Sequence, residues 1–296
     1  LNYEKVFKTL VEETGNYLVN HSLRAMVLGV SGGIDSTVVA AICCEVNKQT
    51  NIPLIGRSLP IKNKKDEFDV STLVGEAFCN NFDVANLYDE YKYFLSGLVW
   101  REERIDLLDD TETMHPEKSK QQTLIANGNI QARLRMIYLY NLASIHNGLV
   151  MSTDNQTEYQ LGFWTIHGDV GDFDPIQDLW KTEVYQLAEW LKLFYYTDGD
   201  DADKAVAIGE SIKLTPTDGL GISNSDLDQI GAKSYNDVDR VLQTLVCPAS
   251  PENDRVQDAL TVEIGPEIID KIIKRRSNSR FKREKSPIYI SRERYE

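Results

Sequence analysis

One segment restricts the fold of this chain more than any other. Residues 25–30 form an apolar run that predicts a buried strand, residues 31–36 are a glycine-rich loop, and residues 37–46 are apolar enough to be a helix packed on a sheet. A strand, a loop and a helix in this order are typical of α/β proteins. The helical spacing of apolar residues over 3–19 adds a helix that leads into the core strand.

The same alternation continues along the chain. Its pattern predicts further strands at 52–59, 83–87 and 149–152, helices at 66–78, 90–107, 129–146 and 181–193, and polar loops at 106–122 and 198–203. We therefore expect a doubly wound, mainly parallel sheet with helices on both faces and a helical C-terminal extension. The simplest division is one domain over 1–296, in which 250–296 form a basic extension.

Composition narrows the functional class. The chain has 46 acidic and 32 basic residues in 296, a net charge of −14, which makes nucleic acid an improbable partner. No apolar stretch approaches the roughly 18 residues of a membrane span. The cysteines form no Cys-x-x-Cys pair and favour a reduced, cytoplasmic location; they are Cys43, Cys44, Cys79 and Cys247.

Positive charge is concentrated at the end of the chain. Residues 271–296 hold ten Lys or Arg against three Glu. Two interpretations stay open: a solvated or subunit-pairing end, or a segment that closes over a phosphate-bearing ligand.

Three features distinguish residues 31–36 from an ordinary tight turn. Gly32 and Gly33 let the backbone approach a ligand, Ser31 and Ser36 flank them with hydroxyls, and the loop opens a helix. Successive N–H groups at such a place form an anion site that the helix dipole reinforces. The string lacks a Gly-Lys-Ser/Thr ending and the chain has no Gly-x-Gly-x-x-Gly, which argues against P-loop hydrolases and dinucleotide dehydrogenases.

The string Ser31-Gly32-Gly33-Ile34-Asp35-Ser36 resembles the pyrophosphate loop of ATP pyrophosphatases, which split ATP between its α- and β-phosphates. Within that group the chain is most similar to the NAD synthetases, and the similarity covers nearly its whole length. The segments that carry it are 59–60, 128–136, 152–158, 162–165, 168–169, 216–217 and 220–223. Because the loop begins as early as Ser31, with no glutaminase-like region before it, the resemblance implies the ammonia-dependent form.

The resemblance implies an activity as well. In that family the pyridine carboxylate of nicotinic acid adenine dinucleotide (deamido-NAD) attacks the α-phosphate of ATP, giving an acyl-adenylate and pyrophosphate, and ammonia then displaces AMP to leave the amide of NAD. Such chemistry needs neutralisation of charge more than a nucleophilic side chain. ATP, Mg²⁺, deamido-NAD and ammonia are the ligands that this implies, and a homodimer is the assembly.

Site residues follow from the same resemblance. Asp35, Glu158 and Lys181 would be catalytic, the two carboxylates as Mg²⁺ ligands and the lysine on phosphate. The ATP-binding set would be Gly29, Val30, Ser31, Gly32, Gly33, Ile34, Asp35, Ser36, Thr153, Lys181 and Thr217. The dinucleotide would contact Arg133, Asp172 and Lys282. Taken alone, Asp35 could be a helix cap, Glu158 a solvated helix residue and Lys181 a surface lysine.

The chain departs from the family pattern at several positions. Ile166 stands where the family usually has Lys, and Phe281 where it has His. The stretch 168–175 is one residue short, so the substrate-binding aspartate is Asp172 or Asp174, and we choose Asp172. Arg135 points about 200° away from Arg133 on its helix, so we expect it to form a structural ion pair.

Two other functions compete with this interpretation. A thiolating or other adenylating relative would need a reactive cysteine and a basic face for RNA, and neither is evident in the sequence. A non-catalytic nucleotide-binding protein would explain Ile166 and Phe281, but it has less need of both carboxylates, Asp35 and Glu158.

Overall fold

The structure is a computed structural model that describes residues 1–102, 116–197, 201–215, 226–246 and 251–284. Within these ranges the sheet has four parallel strands in the order β3-β2-β1-β4. The strands are β1 (Met26–Gly29), β2 (Leu54–Ser58), β3 (Asn81–Val84) and β4 (Leu149–Val150). The expected parallel α/β architecture is confirmed.

Helices account for most of the rest of the described chain. In chain order they are α1 (Tyr3–Asn20), α2 (Ile34–Thr50), α3 (Lys65–Phe78), α4 (Tyr88–Glu102), α5 (Pro116–His146), α6 (Gln156–Leu161), α7 (Lys181–Thr197), α8 (Ala202–Lys213), α9 (Asp226–Ile230), α10 (Tyr235–Val246), α11 (Pro251–Ile264) and α12 (Pro266–Asn278), followed by a 3₁₀ turn (Arg280–Arg283). None of those described has the length and apolarity needed to cross a bilayer.

The sheet is covered on both faces because its strands are apolar on both. Met26 and Leu28 of β1 belong to the core packed with α1, α2, α3, α7 and α8, whereas Val27 between them faces the core formed with α4 and α5. Alternate residues of a strand point to opposite faces, so one apolar run serves two cores. A third cluster joins α6 to the C-terminal helices through Leu161, Val238 and Ile272.

The order of the strands fixes where a ligand can bind. The chain moves outward from β1 to β2 to β3 and then returns, so that β4 pairs with the free side of β1. At this reversal the loops that follow β1 and β4 leave the same edge of the sheet side by side. A crevice of this kind is the usual ligand site of an open α/β sheet.

Three sequence-based boundaries are wrong. The loop predicted over 106–122 is helical from Pro116 onward, because proline is well tolerated in a first helical turn and ends a helix only further inside; residues 103–115 lie outside the described ranges. The strand predicted at 83–87 is Asn81–Val84. The acidic segment 198–203, described from residue 201, already starts α8, whose N-cap is Asp201.

Candidate active site

The glycine-rich loop connects the end of β1 to the start of α2. The hydroxyls of Ser31 and Ser36 lie 2.9 Å apart, and the Gly33 N–H donates to Ser31 Oγ at 3.2 Å. Gly32 has a φ of +82°, and a Cβ there would lie 2.7 Å from the backbone nitrogen of Ser71. Only glycine satisfies both constraints, so the backbone of α3 fixes the shape of the loop.

The three residues predicted to be catalytic meet at one point. The Lys181 ammonium donates to Asp35 Oδ2 at 2.5 Å and to Glu158 Oε1 at 3.0 Å. Asp35 lies in the first turn of α2, Glu158 in α6, and Lys181 is the first residue of α7. The topology thus brings together groups that are up to 146 positions apart in sequence.

The lysine in this cluster is buried, with 2% of its side chain exposed. Burial by itself would lower the pKa of Lys181, but the charges of Asp35 and Glu158 outweigh burial and hold that pKa well above its usual value. The ammonium is therefore fully protonated at neutral pH. The alternative of a solvated surface lysine is excluded by this geometry.

Asn155 orders the cluster and was not identified from the sequence. Its amide Nδ2 donates to Asp35 Oδ1 at 2.8 Å. Its Oδ1 accepts from the Glu158 N–H at 3.1 Å, and Glu158 Oε2 accepts in return from the Asn155 N–H at 3.2 Å. Asn followed three residues later by Glu is the sequence signature of a capping box, which could have revealed this role.

Two further carboxylates belong to the same neighbourhood. Asp154 accepts from the Ser152 hydroxyl at 2.8 Å, and its burial beside Asp169 and Glu158 raises its pKa well above the ordinary value. Asp174 accepts from the Ile176 N–H through Oδ1, whereas its buried Oδ2 has no partner among the described residues. Burial raises the pKa of Asp174 to about 7. Both carboxyls therefore hold a proton more readily than an exposed aspartate does.

A cavity of about 260 Å³ opens beside the loop, at the carboxyl edge of the sheet. Its lining includes Gly29 at the end of β1, Val30 and Ser31 after it, Leu59 after β2 and Thr153 after β4. Four of the residues predicted to contact ATP therefore line a single space. Thr217, also predicted to contact ATP, lies outside the described residues.

Arg135 is a wall of this cavity and not half of an ion pair. Its Nε donates to the Leu59 carbonyl at 3.0 Å and its Nη2 to Asn63 Oδ1 at 3.2 Å, and in the described part of the chain no carboxylate lies within ion-pair distance. Desolvation lowers the pKa of Arg135 to about 10, so it remains cationic. The expected structural ion pair is wrong because both hydrogen-bond acceptors of Arg135 are neutral, and Asp169 and Glu67 act on it only through their charges.

The two cations predicted to bind the dinucleotide lie on either side of one segment, Gly162–Ile166. Arg133 on α5 donates to the Ile166 carbonyl at 3.0 Å. Lys282, in the 3₁₀ turn, donates to the carbonyls of Gly162 and Trp164, and its ammonium lies 5.5 Å from the Trp164 ring centre. Both side chains hold the segment in place by capping its carbonyls.

The two candidate aspartates have different surroundings. Asp172 Oδ2 accepts from the Val150 N–H at 2.9 Å, and Asp172 Oδ1 accepts from the Tyr140 hydroxyl at 3.0 Å. Asp174 instead lies close enough to Asp35 for their charges to interact. Geometry thus gives Asp172 a part in fixing β4 to α5 and places Asp174 nearer the cluster of Asp35, Glu158 and Lys181.

The carboxylates of Asp35 and Glu158 suit a magnesium ion because both are oxygen donors and both point toward one place. Asp35 and Glu158 already converge on the Lys181 ammonium, and carboxylate oxygens are the donors that Mg²⁺ prefers. In the described ranges no group of three or more His, Cys, Asp or Glu side chains is arranged to hold a metal. Two protein carboxylates plus water and phosphate oxygens are a normal Mg²⁺ coordination set.

Comparison with known proteins agrees with this geometry. The sequence model of the NAD synthase family matches residues 6–286. The NH(3)-dependent NAD(+) synthetase of Wolinella succinogenes is 29% identical over 290 residues, which cover 97% of this chain and 96% of that protein. The enzyme of the same name from Thermoplasma acidophilum is 34% identical over 220 residues, 73% of this chain and 75% of its own.

Solved structures share the fold. One, described as NMN synthetase from Francisella tularensis, aligns with a TM-score of 0.72 at 23% identity over 98% of this chain and 100% of that chain. Another, an NH3-dependent NAD synthetase from Campylobacter jejuni, aligns with a TM-score of 0.67 at 22% identity over the same shares. The fold and the cluster define an α/β enzyme of the ATP-pyrophosphatase type. The chain belongs to the NAD synthase family.

Proposed function

We propose that this chain amidates deamido-NAD to NAD with ammonia, at the expense of ATP. The observation that carries the proposal is the Lys181 ammonium held between Asp35 and Glu158 directly beside the glycine-rich loop. Together, the ammonium, the two carboxylates and the loop can bind a polyphosphate and its counterion. Amidation of deamido-NAD as the reaction follows from membership of the family.

The reaction runs in two steps at the carboxyl edge of the sheet. A carboxylate oxygen of deamido-NAD forms a bond to the α-phosphorus, the bond from that phosphorus to the bridging oxygen breaks, and pyrophosphate leaves. Ammonia then bonds to the acyl carbon, AMP leaves with the ester oxygen, and the surplus proton goes to solvent. The first-turn N–H groups of α2 have no acceptor within the helix and can donate to the leaving pyrophosphate, whose charge Lys181 offsets.

Magnesium is part of the proposal and would be held by Asp35 and Glu158. When bound, it supplies neutralisation of charge on the phosphates. The chain's contribution is to hold both carboxylates in place, since Asn155 bonds to Asp35 and caps the helix that carries Glu158. This arrangement leaves little reorganisation to be done when ATP binds.

A single incubation tests the proposal. The protein is given ATP, Mg²⁺, ammonium and deamido-NAD, and NAD and AMP are quantified over time. Equal amounts of NAD and AMP support the proposal. AMP without NAD would indicate another adenylating enzyme, and ATP binding without AMP would indicate a non-catalytic nucleotide-binding protein.

Nicotinic acid mononucleotide is a second candidate substrate. Arg133 and Lys282, the cations expected to grip a dinucleotide, already donate to carbonyls of this chain, and Ile166 and Phe281 stand where the family usually has Lys and His. A smaller acid would need fewer such contacts, and a neighbour of the same fold is described as NMN synthetase. The same incubation with each acid, compared by kcat/KM, decides between them.

We also propose a homodimer. Of the apolar residues expected on α5, Ile137 is 67% exposed, and exposed Tyr140 and Ile145 lie on the same helix; Ile130, Leu134, Tyr138 and Leu142 instead pack against the sheet. The proposed contact between the two subunits is the exposed face of α5 that carries Ile137, Tyr140 and Ile145. Light scattering should show a dimer for the wild type and a monomer for Ile137→Asp, while Val262→Asp, which changes a still more exposed residue on α11, should remain dimeric.

Two expectations about the chain as a whole remain proposals. We propose that 1–296 act as one unit, with α9–α12 packed on α6 and α7, and that the enzyme works in the cytoplasm. Closure over a phosphate-bearing ligand is one of the two interpretations of the basic end. Its residues 285–296 lie outside the described ranges, and within 271–284 Arg276, Lys282 and Arg283 donate to groups of Gln160 and Gly162.

A further inference from the structure

The helix α10 directs two side chains at the helix that carries the catalytic lysine. Tyr235 and Asp239 are four residues apart and therefore share one face of α10. The ring centre of Tyr235 lies 5.5 Å from the Lys181 ammonium. Neither residue belongs to a motif that pointed to function.

Asp239 is a buried carboxylate that two helix starts share. It is 1% exposed. Its Oδ1 accepts from the Thr157 hydroxyl at 2.5 Å, in the first turn of α6, and its Oδ2 accepts from the Thr182 N–H at 2.9 Å, in the first turn of α7. A negative charge at two helix N-termini is favourable for both dipoles.

Thr157 completes a closed network. Besides donating to Asp239, its Oγ1 accepts from the Lys181 N–H at 2.9 Å. Thr157 is the immediate neighbour of Glu158, and Thr182 is the immediate neighbour of Lys181. The network thus fixes the backbone at the two positions from which Glu158 and Lys181 reach each other.

The polarity of this network is not needed for packing alone. Burial raises the pKa of Asp239, and the hydrogen bonds from Thr157 and Thr182 together with the charge of Lys181 offset that cost only in part. A buried carboxylate is costly unless its partners are in place, and an apolar side chain would fill the same space more cheaply. A carboxylate at Asp239 is accounted for if it is needed to orient the backbone that carries Lys181.

We propose that Asp239 is a positioning residue which, through Thr157 and Thr182, sets the approach of Lys181 to Asp35 and Glu158 for binding ATP phosphates. The inference deepens the proposed function and rests on it for the identity of the ligand. It gives the C-terminal helices a direct role in the active site. Asp239 of α10 accepts the hydrogen bonds of Thr157 and Thr182, and no residue of the described strands does so.

The test uses two matched pairs of variants in the full-length chain. Thr157→Val removes the hydroxyl while keeping the shape, and Thr157→Ser restores it. Asp239→Asn keeps the size, but its amide would donate to a Thr157 oxygen that already accepts from Lys181, so the hydroxyl proton loses its acceptor. Ser211→Ala is the control, since Ser211 is equally buried and also bonds to another hydroxyl, that of Thr37 at 2.7 Å.

The affinity for Mg·ATP is measured by calorimetry, and each variant is repeated in a Lys181→Met background. We expect Thr157→Val and Asp239→Asn to weaken binding about tenfold when Lys181 is present and less than about twofold when it is absent. Thr157→Ser and Ser211→Ala should bind within about twofold of wild type. Melting temperatures recorded alongside show how much general stability each change removes.

Equal losses with and without Lys181, or wild-type affinity in Thr157→Val, would overturn the inference and leave a purely structural network. Because binding is measured without turnover, the result does not depend on the reaction. If the wild type binds Mg·ATP but makes no NAD, the proposed function fails. The binding measurements with and without Lys181 still decide whether Asp239 acts through Lys181. If Asp239→Asn does not fold, the two Thr157 variants decide alone.

Discussion

The two halves of the candidate site are built differently. The proposed ATP side, formed by Ser31–Ser36 with Glu158 and Lys181, has charged groups that face one another across a short gap. The proposed substrate side, formed by Arg133, Lys282 and the segment Gly162–Ile166, has cations that face backbone carbonyls of their own chain.

The difference follows from where each half lies in the fold. The ATP side occupies the point where the order of strands reverses, so its loop follows β1 directly, and Glu158 and Lys181 lie at the starts of two helices that hydrogen bonds to Asp239 fix. The substrate side connects α5 to the 3₁₀ turn after α12, with one irregular segment between them. The first half is therefore preorganised, whereas the second is held together by contacts that a substrate must share or replace.

Removing a carboxylate from the ATP side should have the largest effect. Asp35→Ala and Glu158→Ala each remove a charge from the point where phosphate charge develops, so we expect AMP release to fall about 10²–10³-fold or more. Stopped assays at limiting Mg²⁺ check this, with circular dichroism to confirm folding. Turnover close to wild type in either variant would remove that residue from the set of metal ligands.

Disturbing the loop itself should rank next. Gly32→Ala forces a side chain into a left-handed conformation and brings its Cβ to 2.7 Å from the Ser71 nitrogen. We expect a loss of at least about 1–2 kcal/mol in the free energy of unfolding, together with weaker ATP binding. Gly97→Ala is the control: its Cβ meets nothing within 4 Å, so this helical position should gain about 0.5–1 kcal/mol. Similar stabilities for the two variants would contradict the account of the loop.

On the substrate side the effect should be smaller and selective. Lys282→Ala removes the hydrogen bonds that hold the Gly162 and Trp164 carbonyls. We expect the KM for deamido-NAD to rise about tenfold, as for one lost charged hydrogen bond, with the KM for ATP nearly unchanged. Steady-state kinetics with each substrate varied in turn measure both constants, and Lys274→Ala, an exposed cation on α12, serves as control. Equal changes in the two constants would show that the 3₁₀ turn is only structural.

Sequence patterns predicted some parts of the fold and the candidate site better than others. Apolar runs predicted β1 and α2, and the glycine-rich string between them marked the phosphate loop, because these signals are local. The meeting of Asp35 with Lys181 is a product of topology, and only the family resemblance suggested it. Asp239 carries no local signal at all, since its partners on α6 and α7 are distant in sequence. The loop predicted around Pro116 was wrong because proline is common both in loops and in the first turn of a helix.

The smallest predicted effect distinguishes the two aspartates between these halves. Burial raises the pKa of Asp174 from its ordinary value of 3.8 to about 7, so between these values the folded protein holds a proton that the unfolded chain has released. The free energy of unfolding should therefore fall as the pH rises through this interval. Asp174→Asn should make that decline shallower in the metal-free protein, and the remainder comes from Asp154, Asp169 and Asp239, whose pKa values burial also raises. At pH 8 its melting temperature should exceed that of wild type by roughly 2–4 °C for each kcal/mol regained.

Asp172→Asn should instead lower the melting temperature, because the carboxylate of Asp172 accepts from the Val150 N–H and the Tyr140 hydroxyl and its loss weakens the contact between β4 and α5. Asp178→Asn, which changes an exposed carboxylate nearby, provides the baseline. Thermal unfolding followed from pH 4 to pH 8 separates the three variants. A parallel decline in wild type and Asp174→Asn would show that Asp174 contributes nothing to it and that the other buried carboxyls cause it.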